Sequence, residues 1–176
     1  MRALPLSYPD SLIVIATLAL LAAVLYCRHA ASGRAGFIPD GDGFTLKRRW
    51  LPTIRVRIAW IDAPEKGQPH AEAARFALRA LLGDRLLKLV YVDTDIYGRR
   101  VAQVWVDGQD VGLALVEAGA AWYYRHYGSK VSFWRRWRYG GAERRARFAK
   151  KGLWALPKPQ SPWDFKHRSW WRKLLS

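Results

Sequence analysis

An α+β fold is what this sequence predicts: a small five-stranded barrel with about three packed helices, preceded by one hydrophobic N-terminal helix. Three observations carry the prediction. Short alternating, β-branched runs recur between residues 44 and 106, two helical stretches end in glycine, and an uncharged apolar run extends from Leu12 to Cys27. The 176 residues suffice for one domain with a proper core plus appendages.

Taken in order, the apolar run comes first. From Leu12 through Cys27 it would span ~24 Å at ~1.5 Å per residue, short for a membrane crossing. A retained single-pass anchor is the expectation, so that residues 12–27 meet the membrane and residues 1–35 form anchor and linker. A cleaved signal and a buried helix are the competing readings. Arg28, His29 and Arg34 follow the run and Arg2 precedes it, a charge difference that leaves the side of the following domain open. Ala31 to Gly36, small and glycine-containing, reads as linker.

A strand enters from Phe37, and Phe44–Arg49 and Arg55–Ile61 follow as strands around a turn at Pro52. Pro69 opens a helix that Gly83 closes, with Ala71, Ala74, Leu78, Leu81 and Leu82 on its apolar face. Leu86–Val92 is the next strand. Val101–Val106 then pairs through Asp107-Gly108, a strong hairpin signal, with Gln109–Val111. A short helix runs to about Ala118 before Gly119, and another covers Ala142–Lys151. Short strands around one core, with helices at the sides, predict a partly open barrel of the oligonucleotide-binding (OB-fold) type over residues 36–167.

Charge narrows the partner. The net formal charge is +16, and it is unevenly spread. Residues 1–124 carry 15 Lys/Arg against 12 Asp/Glu, whereas residues 125–176 carry 15 against 2. A basic surface of this size calls for a polyanion, nucleic acid or anionic membrane. The single cysteine, Cys27, excludes an intramolecular disulfide.

Against that basic background the acidic residues Asp40, Asp42, Asp62 and Glu65 stand out. Asp40-Gly41-Asp42 lies in a turn, and Asp62-Ala63-Pro64-Glu65 ends an alternating strand that also carries Arg55 and Arg57. A turn with Asp-Gly-Asp is commonly only a turn, and Asp62 could simply terminate its strand. Arg55 and Arg57 share one side of their strand, so that side faces something other than an apolar core.

The whole set resembles the thermonuclease family, whose type member is staphylococcal nuclease. The resemblance rests on Asp40-Gly41-Asp42, on Arg57 five residues before Asp62-Ala63-Pro64-Glu65, on Gln68-Pro69, on Asp95-Ile96-Tyr97-Gly98-Arg99, on Leu115 to Trp122, and on Lys151-Gly152-Leu153-Trp154. It covers about residues 37 to 167. It implies an OB-type barrel and calcium-dependent cleavage of phosphodiester bonds in DNA and RNA. By this resemblance Asp42, Asp62 and the carbonyl of Ala63 bind Ca2+ directly, while Asp40 acts from behind them. Glu65 orients or deprotonates the attacking water, and Arg57 and Arg99 clamp the phosphate. The chemistry is consistent: calcium takes oxygen ligands, and a guanidinium matches phosphate with two parallel hydrogen bonds. One departure stands in the metal loop, where Gly43 replaces the usual Thr and Thr45 follows two positions later. Loss of that hydroxyl predicts weakened activity.

Tyr97, Tyr124 and Tyr127 are candidates to stack on or hydrogen-bond the nucleotide, by analogy with tyrosines lining the family's cleft. Partly buried packing is the alternative for any of them. His70 and His126 read as surface residues, since a hard oxygen site has little use for imidazole. The run Phe133 to Tyr139 interleaves rings with Arg135, Arg136 and Arg138, and the tail 168–176 repeats the theme. This suits single-stranded nucleic acid or a membrane interface. The leading expectation is a membrane-anchored, monomeric, calcium-dependent nuclease of low sequence specificity with no protein partner. Its rival is a non-catalytic nucleic-acid-binding barrel, and a membrane-surface protein is the third reading.

Overall fold

The structure, a computed structural model, describes residues 8–125 and 132–166, without the side chains of residues 8–10 and 22–29. After a leading helix α1 (Tyr8–His29), the chain forms β1 (Ala30–Ala35), β2 (Gly43–Arg48), β3 (Leu51–Ile58), β4 (Ile61–Asp62) and α2 (Ala71–Leu82). It continues through β5 (Leu87–Thr94), β6 (Arg100–Val106), β7 (Gln109–Asp110), α3 (Val111–Glu117), β8 (Trp122–Tyr123) and α4 (Phe133–Phe148).

Period-two patterning places the sheet. Phe44, Leu46, Val56 and Ile58 point inward, while Arg55 and Arg57 alternate with them on the other side of β3. Leu87, Leu89, Val104 and Val106 supply the inward residues of β5 and β6. Strand order is β3-β2-β1-β5-β6-β7, and β3 also pairs with β6 in parallel through Val56, Arg57 and Ile58. That pairing closes the five strands into a barrel, where the sequence predicted a partly open one. Closure removes the exposed edges of β3 and β6.

Two elements differ from expectation. The small residues read as linker form β1, which pairs with both β2 and β5. Their smallness reflects close approach, because a Cβ on Gly33 would run into the Lys47 carbonyl. The helix expected from Ala142 begins instead at Phe133, so the aromatic and basic run 133–139 is helical. The Asp107-Gly108 hairpin forms as expected, both residues having positive φ (48° and 80°) as a type I′ turn requires.

The helices cover the barrel. Helix α2 buries Ala74, Leu78 and Leu82, and α3 buries Val111, Leu115 and Val116. Helix α4 packs on α3 and adds Tyr139 and Ala142 to the core, while its Ala146 packs with Leu153 and Trp154. Gly119 and Gly152, both at positive φ, lie backbone to backbone, with the Leu153 amide donating to the Gly119 carbonyl at 2.9 Å. This contact gives the Leu115–Trp122 and Lys151–Trp154 motifs a role in holding the fold.

The expected membrane anchor is corrected. Among the described residues no helix is long and apolar enough to cross a membrane. The uncharged stretch Leu12–Cys27 in α1 covers ~24 Å, against the ~30 Å of a hydrocarbon core that takes ~20 residues. Neither the anchor nor the membrane localisation drawn from it stands. The basic tail 168–176, together with Tyr127 and His126, lies outside the described residues.

Candidate active site

Arg57 is the centre around which the acidic residues gather. Its Nη1 donates to Asp42 Oδ2 at 2.5 Å and its Nη2 to Asp62 Oδ1 at 3.0 Å and to the Ile61 carbonyl at 3.2 Å. The backbone dictates the meeting. Strand pairing sets Gly43 opposite Arg57, and the Ile58 amide donates to the Asp42 carbonyl at 2.8 Å, so Asp42 sits at the end of β3. Trp60, at φ 63°, turns the chain between β3 and β4 and returns Asp62 to the same guanidinium. A left-handed residue of this bulk costs roughly 1–2 kcal/mol, so the turn needs support. The ring of Trp60 meets Tyr139 edge-on at 6.0 Å, and its carbonyl accepts from the Tyr124 amide at 2.8 Å.

Asp42 and Asp62 are both buried, 4% and 8% exposed. Burial pushes the Asp42 carboxyl up to about 7, with Asp40 and Asp62 adding to the rise and Arg57 and Arg99 opposing it. Above that value two buried carboxylates share one guanidinium and leave negative charge without full compensation, the condition a bound cation relieves. The donors are hard oxygens, so the set fits calcium in kind. Its carboxylate part consists of two groups, since no cluster of three His, Cys, Asp or Glu suited to a metal occurs among the described residues.

Asp40 stands beside Asp42, its Oδ1 accepting from the Asp42 amide at 3.2 Å. Thr45 does not replace the hydroxyl missing at position 43. Its Oγ1 accepts from the Phe37 amide at 2.8 Å instead, on the strand that follows the Asp40–Asp42 turn. Gly41 is held by space, because a Cβ there would stand 2.7 Å from that of Ala74 and 2.8 Å from that of Ala63. Helix α2 and the Ala63 loop therefore close on a glycine.

Glu65 follows at the end of that loop. Its amide donates to Oε1 of the buried Gln68 at 2.9 Å, and its Oε1 pairs with Lys166 Nζ at 2.7 Å. Arg99 lies close enough to act electrostatically on Asp42. Asp95 orients it, binding the Nε edge at 2.7 Å and the backbone amide at 2.9 Å. Burial would raise the Asp95 carboxyl, but the hydrogen bonds from Arg99 and Tyr97 outweigh it and hold the group below its ordinary value. Tyr97, 66% exposed, lies 5.7 Å from the Arg99 guanidinium, and its carbonyl accepts from Arg55 Nη2 at 2.6 Å.

The remaining predicted contacts are spread more widely. Tyr124 is half-buried beside the Trp60 turn, whereas Arg136 and Arg138 are exposed on α4. Arg135 stacks on the Trp60 ring at 3.9 Å and donates to Gln103 at 3.3 Å, so it supports the turn that delivers Asp62. His70 stands at the start of α2 at φ 68° without a side-chain capping hydrogen bond, and among the described residues it joins no group of three suited to a metal. Sequence reasoning missed Lys166 and Arg55 at the site. Arg55 was visible through its shared parity with Arg57, but nothing local to Lys166 marks it.

A protein-family model for staphylococcal nuclease homologues matches residues 55–156. The chain belongs to this family. It is 35% identical over 112 residues to a probable staphylococcal-like nuclease of Oryza sativa subsp. japonica, a match covering 64% of this chain and 32% of that protein. The chain thus spans about a third of the length of the rice relatives it matches. An uncharacterized endonuclease of Escherichia coli O157:H7 is 32% identical over 137 residues, covering 77% of this chain and 85% of that protein. The protein named ParB of Escherichia coli is 35% identical over 141 residues, with 75% and 77% covered. The family-matched stretch holds Arg57, Asp62, Glu65 and Arg99 but begins after Asp40 and Asp42.

Proposed function

We propose that the protein is a calcium-dependent nuclease that hydrolyses phosphodiester bonds of DNA and/or RNA with low sequence specificity. The observation that carries this reading is the single guanidinium of Arg57 bridging two buried carboxylates, Asp42 and Asp62, with Glu65 at the end of the same loop. Asp42, Asp62 and the Ala63 carbonyl would hold the ion, with Asp40 steadying Asp42 from behind. Bound calcium would supply charge neutralisation and polarisation at the phosphate. Arg57, whose Nη1 and Nη2 face Asp42 and Asp62, would offer those two donors to phosphate oxygens, and Arg99 would bind a second pair. Glu65 orients the attacking water and takes its proton onto a carboxylate oxygen. Tyr97 offers an exposed ring at the edge, and Tyr124, Arg136 and Arg138 extend the substrate surface. Arginine–phosphate contacts and ring stacking read no base edge, which suits low specificity.

A second reading is favoured by one observation: Glu65 is already paired with Lys166. On that reading the barrel binds nucleic acid without cleaving it. Turnover of single- and double-stranded DNA and RNA, with calcium and with chelator, separates the two. Calcium-dependent cleavage by the wild type that Glu65→Gln abolishes supports the nuclease. Binding without cleavage in calcium establishes the second reading.

A further inference from the structure

Lys166 comes from the C-terminal segment, beyond the family-matched stretch, yet its Nζ stands 2.7 Å from Glu65 Oε1. The approach is built into the fold. Gln68, only 5% exposed, accepts from the Glu65 amide at 2.9 Å and donates through Nε2 to the Gln160 carbonyl at 2.6 Å. One buried amide thus fastens both the Glu65 loop and the start of the segment that carries Lys166. From there Ser161 organises a single helical turn, its Oγ bonding Asp164 and its carbonyl accepting from the Phe165 amide at 3.1 Å. That turn presents Lys166 to the site.

The pair is half-exposed, with side chains 56% and 32% accessible for Lys166 and Glu65. Pairs of this exposure are weak and exchange readily for another anion. Asp62 and Arg57 also act electrostatically on Lys166, which places its ammonium within the field of the carboxylate centre. A phosphodiester entering between Arg57 and Arg99 brings a competing anion to that place. An ammonium on a flexible stem with three donors can follow it, while Gln68 keeps the segment docked.

We propose that Lys166 is a further substrate-contacting residue whose Nζ leaves Glu65 Oε1 for a non-bridging phosphate oxygen of the bound strand. It becomes the third cation beside Arg57 and Arg99, and the exchange hands the Glu65 carboxylate to the attacking water. No bond is made or broken in this step. The inference rests on the nuclease reading, because the exchange has its catalytic meaning only if Glu65 serves a water.

The test uses the full chain and a fluorescein-labelled single-stranded oligodeoxynucleotide. Binding is measured by anisotropy in chelator across a salt series, and turnover in calcium, for wild type, Lys166→Gln and Lys166→Arg. Loss of one phosphate contact should weaken binding of Lys166→Gln about fivefold to tenfold and reduce the salt slope by about one. Its kcat/KM should fall by a similar factor, mainly through KM, with Lys166→Arg restoring most of it. Lys166→Met, which keeps the apolar stem, replaces Lys166→Gln if that variant melts early. Unchanged KM and salt slope would reduce the contact to a surface ion pair and overturn the proposal. A rise in kcat for Lys166→Gln would equally overturn it, showing that Lys166 merely obstructs Glu65. Should the wild type bind without turning over, the nuclease reading fails. The binding series in chelator then decides separately whether Lys166 meets phosphate.

Discussion

The carboxylate of Asp40 lies over the α-carbon of Gly43, where a Cβ would stand 2.8 Å from its Oδ1. The residue that departs from the family pattern is thus the one that lets Asp40 fold onto the Asp42 amide. Gly43→Ala should swing Asp40 away and break that hydrogen bond, at a cost of about 1 kcal/mol. Thermal melts in chelator should show this loss, and calcium titration should show weaker binding. A variant with unchanged melting and calcium affinity would remove Asp40 from any role in calcium binding.

Asp95 orients Arg99 from both its backbone amide and its Nε edge. Asp95→Ala should leave the barrel folded, because the turn is at the surface, but let the guanidinium rotate. Misplaced positioning groups cost up to ~10²-fold in rate. We expect kcat/KM to fall at least about tenfold, with calcium affinity unchanged. Kinetics and a calcium titration on the same preparation check both halves.

Arg57 holds apart two buried carboxylates, so Arg57→Ala is not a silent truncation. Removing one partner of such a cluster costs about 3–5 kcal/mol, and this should appear in melts at pH 8 in chelator. Calcium should raise the melting temperature of the variant more than that of the wild type, since the ion replaces part of the lost positive charge. Turnover should nevertheless fall by ~10²–10³, as when a charge-stabilising donor is removed. Equal calcium shifts in the two proteins would place the ion elsewhere.

The barrel strands were legible because Phe44, Leu46, Val56 and Ile58 keep a strict alternation, and the hairpin because Asp107-Gly108 fixes its own turn. Barrel closure was not, since the parallel register of β3 with β6 joins residues more than forty positions apart through backbone groups alone. Strand β1 escaped for a related reason: its glycine answers to Lys47 on another strand and leaves no local pattern. At the site, Asp42, Asp62 and Arg57 were legible as a motif. Arg135 was read from its basic, aromatic neighbours as part of a nucleic-acid or membrane surface, whereas its place on the Trp60 ring depends on how α4 packs. Lys166 lies a hundred residues from its partner, a separation across which composition carries no signal.

Asp42 gives the site a pH dependence of definite sign. Its carboxyl has an ordinary value of 3.8 and is pushed up to about 7 by burial. Between these values the unfolded chain has lost the proton and the folded chain still holds it. The folded state therefore gains stability from this group below pH about 4, and that gain is lost as pH rises through about 7. Asp42→Asn mimics the protonated form, so in chelator its stability relative to wild type should rise across the same window. Calcium competes with that proton, and its affinity for the wild type should increase from pH 5 to pH 7 and then level off. Melts of both proteins at pH 5 and 8, with chelator and with calcium, measure each difference. A wild-type calcium affinity that is flat across this range would show that Asp42 does not ligate the ion.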